Sequence, residues 1–402
     1  MKRWMAGPIL VLLGLTACAR KYSPPLALSP DGETVALLVP PAPGQKASAS
    51  LEFIDRRSGV VNTVHMPFGK TADRLLWLDH RLYAEGAGGS NAAVYDRGKW
   101  TGAPKFNATW YPPFMGTYQG RPALFESGET TNVYSVVDFS RIGQLNFSVR
   151  GLSDSYCIRY QWATTQPRIQ TSLGWLVEAG RDGQERTILK RALISGMELL
   201  GPDLQPIMHL DAPETPSPDR LLTDGEAGVS PDHRLFMIAP QRHGGWGTSA
   251  RNADTIASWY YTGYSVYEIS TGNPLFSSSL VQRRAQQSDP RRGEPVAPVI
   301  LMNDGVYAVE EVVPLRVRAP SGSNPAATRE DHEFWLTRST QQGRIRIVQL
   351  PLLPARDFST VASASRGLLL IHTYYPTPRL IEVPLKADVA PGEIRVIALR
   401  GQ

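Results

Sequence analysis

The sequence predicts an all-β fold, a β-propeller of about seven four-stranded blades, and three observations carry that prediction. Glycine and proline are plentiful, 35 and 33 of 402 residues, and they punctuate short apolar runs of strand length. Two local patterns, a turn leading into a strand and a strand closing on a hairpin, recur along the body. After residue 18 no amphipathic helix of any length is legible.

Composition sets the outer limits. The chain is long enough for several domains or one large β architecture. Its hydrophobic share of 42% supports a substantial core and argues against disorder. The net charge of +5 includes Lys2 and Arg3; without them, 40 Lys and Arg face 37 Asp and Glu. That balance lacks the clustered positive charge of a nucleic-acid binder, and no nucleic-acid partner is expected.

The first pattern is a tight turn before an apolar run. Leu28-Ser29-Pro30-Asp31-Gly32 precedes Thr34 to Val39, and Val229-Ser230-Pro231-Asp232-His233 precedes Leu235 to Ile238. Looser copies are Asn303-Asp304-Gly305 before Val306 to Val309, and Ser365-Arg366-Gly367 before Leu368 to Ile371. Pro presets φ, Asp bonds back to its own backbone, and Gly accepts a positive φ. The second pattern is a strand closing on an acidic residue and a glycine turn. Leu51 to Asp55 runs into Arg56-Arg57-Ser58-Gly59, and Ser265 to Ile269 runs into Ser270-Thr271-Gly272. Ala93 to Asp96 before Gly98, and Tyr134 to Asp138 before Gly143, read the same way. Each predicts a β-hairpin.

Turn–strand followed by strand–hairpin–strand, repeated, is the sign of a radial array of four-stranded sheets. The Ser-Pro-Asp-Gly turn resembles that of the WD40-like repeats in periplasmic propellers of the TolB type. A repeat of about 40–50 residues allows six to eight blades. Blade starts near Leu28, Thr71, Trp110, Gln170, Asp224, Val299 and Phe358 select seven, all within a single domain over residues 26–402.

The N-terminus reads differently. Met1-Lys2-Arg3 is positive, and Met5 to Ala17 form an apolar stretch broken by Gly7, Pro8 and Gly14. That stretch falls short of the roughly 20 residues needed to span a bilayer and has signal-peptide dimensions. Leu15-Thr16-Ala17-Cys18 looks like a lipobox, the cleavage motif of bacterial lipoproteins. The resemblance implies removal of residues 1–17 and lipid, palmitate included, on Cys18. Ala19 in place of Asp implies the outer membrane, on its periplasmic face. Residues 18–25 form only a short tether, since seven extended residues reach about 25 Å. The membrane, through Cys18, is therefore an expected partner.

With Cys18 lipidated, Cys157 has no intrachain partner for a disulfide. It lies in Tyr156-Cys157-Ile158-Arg159-Tyr160-Gln161-Trp162, where aromatic and aliphatic residues alternate, and reads as a small strand residue instead of a reactive thiol.

HExxH, GxSxG, Walker A and paired CxxC signatures do not occur, and no catalytic residue is nominated. The glycine-rich run Glu85 to Ser90 reads as a turn. Asp331-His332-Glu333 alternates across a strand and so does not converge on a metal. The seven histidines are scattered, and neither a metal nor a cofactor is expected.

Three long interruptions remain. Residues 241–264 are polar and aromatic and supply the candidate binding residues His243, Trp246, Arg251, Asp254 and Trp259. Trp, Tyr and Arg are favoured interface anchors, although Trp259, Tyr261 and Tyr264 also fit strand positions packed between blades. Residues 283–295 carry Arg283, Arg284, Arg291 and Arg292, and residues 316–333 are rich in Pro, Gly, Ser and charge. Long loops on a rigid β scaffold are where binding usually resides. The leading expectation is a non-catalytic docking platform for an envelope protein. Its rivals are an envelope glycan hydrolase or lyase with acids drawn from different blades, and a small-ligand binding protein using the central funnel.

Overall fold

The computed structural model describes residues 26–39, 49–68, 72–86, 91–106, 113–128, 130–152, 156–162, 168–171, 174–181, 187–191, 194–211, 226–239, 241–243, 259–261, 263–279, 294–295, 299–312, 333–351, 353, 358–373 and 378–399. They form seven antiparallel blades and two smaller insertions. Blade 1 is β1 (Leu26–Leu28), β2 (Thr34–Val39), β3 (Ser50–Asp55) and β4 (Val61–His65). Blade 2 is β5 (Ala72–Leu78), β6 (Arg81–Gly86), β7 (Ala92–Asp96) and β8 (Lys99–Ala103). Blade 3 is β9 (Phe114–Tyr118), β10 (Arg121–Ser127), β11 (Thr131–Ser135) and β12 (Arg141–Leu145).

Blade 4 is β13 (Arg150–Gly151), β14 (Cys157–Trp162), β18 (Ile194–Leu200) and β19 (Pro206–Asp211). Between its second and third strands lies a three-stranded sheet of β15 (Arg168–Thr171), β16 (Gly174–Arg181) and β17 (Thr187–Arg191). Blade 5 is β20 (Glu226–Val229), β21 (Leu235–Ala239), β24 (Gly263–Glu268) and β25 (Pro274–Ser279), with the ribbon β22 (Gln241–His243) and β23 (Trp259–Tyr261) inserted at the same place. Blade 6 has a broken first strand, β26 (Glu294–Pro295) and β27 (Ile300–Met302), both paired to β28 (Gly305–Val312), then β29 (Glu333–Thr340) and β30 (Gly343–Leu350). Blade 7 is β31 (Phe358–Ser363), β32 (Leu368–Thr373), β33 (Arg379–Pro384) and β34 (Arg395–Ala398).

Within each blade the strands follow chain order from the axis outward. The first strands of neighbouring blades approach one another, β1 meeting both β31 and β5. The second strand is sandwiched, and this explains its unbroken apolar sequence. In β2, Val35 and Leu37 pack on blade 7, while Ala36 and Leu38 pack on blade 2. Period-2 geometry sends alternate side chains to opposite neighbours, and both sides are buried. Seven hydrophobic clusters fill the seven interfaces between successive blades, the one between blades 7 and 1 included. The ring is closed.

Six of the seven expected blade starts fall within four residues of an observed first strand; the fourth does not. Blade 4 begins at Arg150, not near Gln170, because Gln170 belongs to the inserted sheet. That insert alternates like a blade but has three strands and no place in the ring. A second correction concerns Tyr134 to Asp138. The strand stops at Ser135, and Asp138 sits in the turn, where it accepts the Ser140 amide at 3.1 Å and the Ser140 hydroxyl at 2.9 Å.

Cys157 faces the interface of blades 3 and 4, opposite Tyr156 and Ile158, which face blade 5. Burial pushes its thiol up to about 12, as expected of a structural residue.

Candidate interaction face

Antiparallel order forces the connections onto two faces. Links between first and second strands, and between third and fourth, open on one face; the remaining links open on the other. On the first, the turn face, every connection has two to five residues except 385–394. The strands that flank residues 163–193, 212–225, 240–262, 280–293 and 313–332 end and resume on the second, the loop face. Every connection longer than ten residues leaves and rejoins the ring on that side.

The turn face is built from short polar side chains that satisfy backbone groups. The two Ser-Pro-Asp turns are the same device. Asp31 Oδ1 accepts from the Ser29 hydroxyl (2.5 Å) and the Glu33 amide (2.9 Å), while Ser29 Oγ accepts the Thr34 amide (2.9 Å). In blade 5, Asp232 Oδ1 accepts from Ser230 (2.7 Å) and the Arg234 amide (3.2 Å), and Ser230 Oγ accepts the Leu235 amide (2.9 Å). Gly32 has φ +75°; His233 occupies the same position at φ +60°. These bonds hold Asp31 below the usual carboxylate range. The hairpins use the same chemistry: Ser58 donates through its amide and hydroxyl to Asp55, each at 2.7 Å, and Thr271 donates to Glu268 at 2.8 Å.

The scaffold beneath the loop face is also tied down. Ser127 Oγ, at the end of β10, donates to the Val149 carbonyl (2.5 Å) and accepts the Val149 amide (3.1 Å). Thr131 Oγ1 donates to the Phe147 carbonyl at 2.8 Å. Both hydroxyls are fully buried, so this connection between blades 3 and 4 is stapled to blade 3.

Carboxylates stand near the ends of several second strands, each engaged within its own blade. Glu85 pairs with Arg74 at 3.4 Å. Glu126 accepts the Tyr134 hydroxyl at 2.8 Å and the Asn132 amide at 3.2 Å. Glu310 pairs with Arg344 at 2.7 Å and accepts from Thr337 at 3.2 Å, and its burial outweighs that pairing and raises its carboxyl. These residues left no motif in the sequence; only a buried acid within an otherwise apolar strand hinted at them. Among the described residues, no three His, Cys, Asp or Glu stand together as a metal-binding group.

The candidate residues divide. His243 and Trp259 are direct register partners on β22 and β23, so the insert expected as a loop begins as a two-stranded ribbon. Trp246, Arg251 and Asp254 lie between those strands, outside the described residues. Cys18, Arg283, Arg284, Arg291, Arg292, Asp331 and His332 also lie outside them. Tyr264 belongs to β24, is buried between blades 5 and 6, and meets Phe276 edge-on with ring centroids 6.4 Å apart. It is a packing residue.

No family model and no curated protein matches the sequence. Solved structures resemble the chain over most of its length. The WD40 domain of Neurospora crassa Pan2 is 9% identical, with 87% of this chain and 85% of that one covered, at a TM-score of 0.44. A protein from Lactobacillus plantarum is 10% identical over 90% of this chain and 95% of its own, at 0.42. The C-terminal WD40 domain of Sif2 is 10% identical over 82% and 81%, at 0.36. The architecture rests on the sheets themselves: the chain is a seven-bladed β-propeller of four-stranded antiparallel blades.

Proposed function

We propose that this chain is a lipid-anchored, non-catalytic docking platform of the cell envelope, whose loop face receives another envelope protein. The observation that carries the reading is the segregation of connections: one face is closed mostly by tight turns, and every connection longer than ten residues leaves and rejoins the ring on the other. A rigid ring that gathers its variable segments on one side is suited to display a binding surface. The ribbon pairing His243 with Trp259 extends from the ends of β21 and β24 on that side, which supports assigning the segment between its strands to the docking surface.

The anchor joins this reading through strand direction. β1 runs from the loop face toward the turn face, so the chain reaches Leu26 on the loop side. A tether of about 25 Å from Cys18 falls short of the path around the ring. That path crosses three strand spacings, about 14 Å, and a blade height of about 20 Å. The lipidated protein therefore holds its loop face near the outer-membrane surface, and its partner is a membrane-associated protein.

Two measurements test the reading. Cys18→Ala shifts the protein from the membrane to the soluble fraction if the anchor is right. Crosslinking from intact membranes recovers a reproducible partner, and Trp246→Ala with Arg251→Ala reduces its recovery at least fivefold, whereas Gln342→Ala on the turn face leaves recovery unchanged. A partner retained equally by all variants would remove the loop face from the proposal.

A further inference from the structure

A cavity of about 370 Å³ opens on the turn face between blades 1 and 2, on the side opposite the docking face. Its volume falls in the range of small-ligand sites, roughly 300–1,000 Å³. Three aromatic residues from three strands line it: Phe53 on β3, Trp77 on β5 and Tyr95 on β7. Phe53 stacks on Tyr95 with centroids 5.1 Å apart at 24°, and meets Trp77 edge-on at 6.1 Å and 70°. The Trp77 indole N–H donates to the Ala27 carbonyl at 3.3 Å, so its donor is used within the fold.

Asp31 and Asp79 also line the cavity, and both are held in the ionised form. Ser29 and the Glu33 amide occupy Asp31 Oδ1, and His80 Nδ1 lies 2.8 Å from Asp79 Oδ2. Those bonds use one oxygen of each carboxylate. Arg97 also lines the cavity, but its side chain is 86% exposed and lies 3.9 Å from Asp96; Arg366 donates to the Pro30 carbonyl and adds its charge to the groups that hold Asp31 low. His80 stands between Asp79 and Asp96, with its Nε2 3.8 Å from Asp96 Oδ1.

We infer that this cavity binds an arginine side chain presented by a partner polypeptide. Aromatic rings attract a cation over their faces, and a planar guanidinium both stacks on a ring and forks to a carboxylate. The carboxylates supply charge complementarity that an apolar side chain would not use. The site is independent of the loop face and of Cys18.

The test uses the full chain in detergent and the tripeptide acetyl-Gly-Arg-Gly-amide, with its citrulline counterpart as the uncharged control. The Trp77 indole resonance, assigned by its loss in Trp77→Phe, reports binding. The arginine peptide is expected to shift that resonance saturably, and the citrulline peptide to bind at least tenfold more weakly. Asp79→Asn, at an exposed side chain, is expected to weaken arginine binding about threefold to tenfold with the melting temperature unchanged. No saturable shift, an equal shift with citrulline, or full affinity in Asp79→Asn would each overturn the assignment.

Discussion

Arg56 and Glu382 stand 326 residues apart in the chain and 2.7 Å apart in space, Nε to Oε1. Arg56 follows the third strand of blade 1 and Glu382 lies on the third strand of blade 7, so the contact spans the seam where the ring closes. Neither blade borrows a strand from the other: β1 to β4 come from the start of the ring and β31 to β34 from its end. Closure is made by side chains. Arg395 adds to it, with Nη1 3.8 Å from Glu382 and further donation to the Arg56 and Arg57 carbonyls. Val35, Leu37, Leu370 and Leu380 pack beneath.

Glu382→Gln is therefore expected to destabilise the fold by about 2–4 kcal/mol, since it strands a largely buried guanidinium. Arg57→Ala is the contrast. Its pair with Glu33 is equally short at 2.6 Å, but Arg57 is 81% exposed and solvent screens the pair, so its loss should leave the midpoint nearly unchanged. Urea midpoints measure both; equal effects would refute the special standing of the seam.

Gly32→Ala should cost about 1–2 kcal/mol. The left-handed φ of +75° disfavours a side chain, and an added Cβ would meet the Arg366 guanidinium, its nearest atom 2.5 Å away. Thermal unfolding checks this, and unchanged stability would mean the turn relaxes freely.

His372 supplies a pH dependence. Burial pushes its imidazole down to about 4, against about 6.5 when unfolded. Between those values the unfolded chain binds the proton better, so stability falls as pH drops through about 6.5 and levels off below about 4. The full loss is about 3 kcal/mol. Glu52 and Glu310, whose carboxyls are raised by burial, act in the opposite sense. The readout is thus the difference between wild type and His372→Gln across that interval, and parallel curves would sink the assignment.

The orientation of the anchored protein is open to fluorescence. Asn146 lies exposed on a loop-face connection and Gln342 exposed on the turn face. A thiol dye on Asn146→Cys should be quenched by a headgroup quencher at least twofold more than one on Gln342→Cys, with lipidated protein in vesicles. Cys157 stays unlabelled, being 1% exposed with its thiol pushed up to about 12. Equal or reversed quenching would contradict the orientation, whereas failure to bind vesicles would instead contradict the anchor.

Local chemistry alone determined the turn face. Ser29-Pro30-Asp31-Gly32 and Asp55 to Gly59 specify their turns through bonds among residues at most five apart, so their periodic return was readable as blades. The unbroken apolar run Val35 to Leu38 likewise announced a strand buried on both sides. Tertiary structure decided what depends on distant partners. Gln170 sits in an insert and not a blade, because ring membership depends on which edges find neighbours. Glu382 meets Arg56 only because seven blades complete the circle. Phe53, Trp77 and Tyr95 share a cavity because blades 1 and 2 pack face to face, and no pattern in their spacing along the chain encodes that contact.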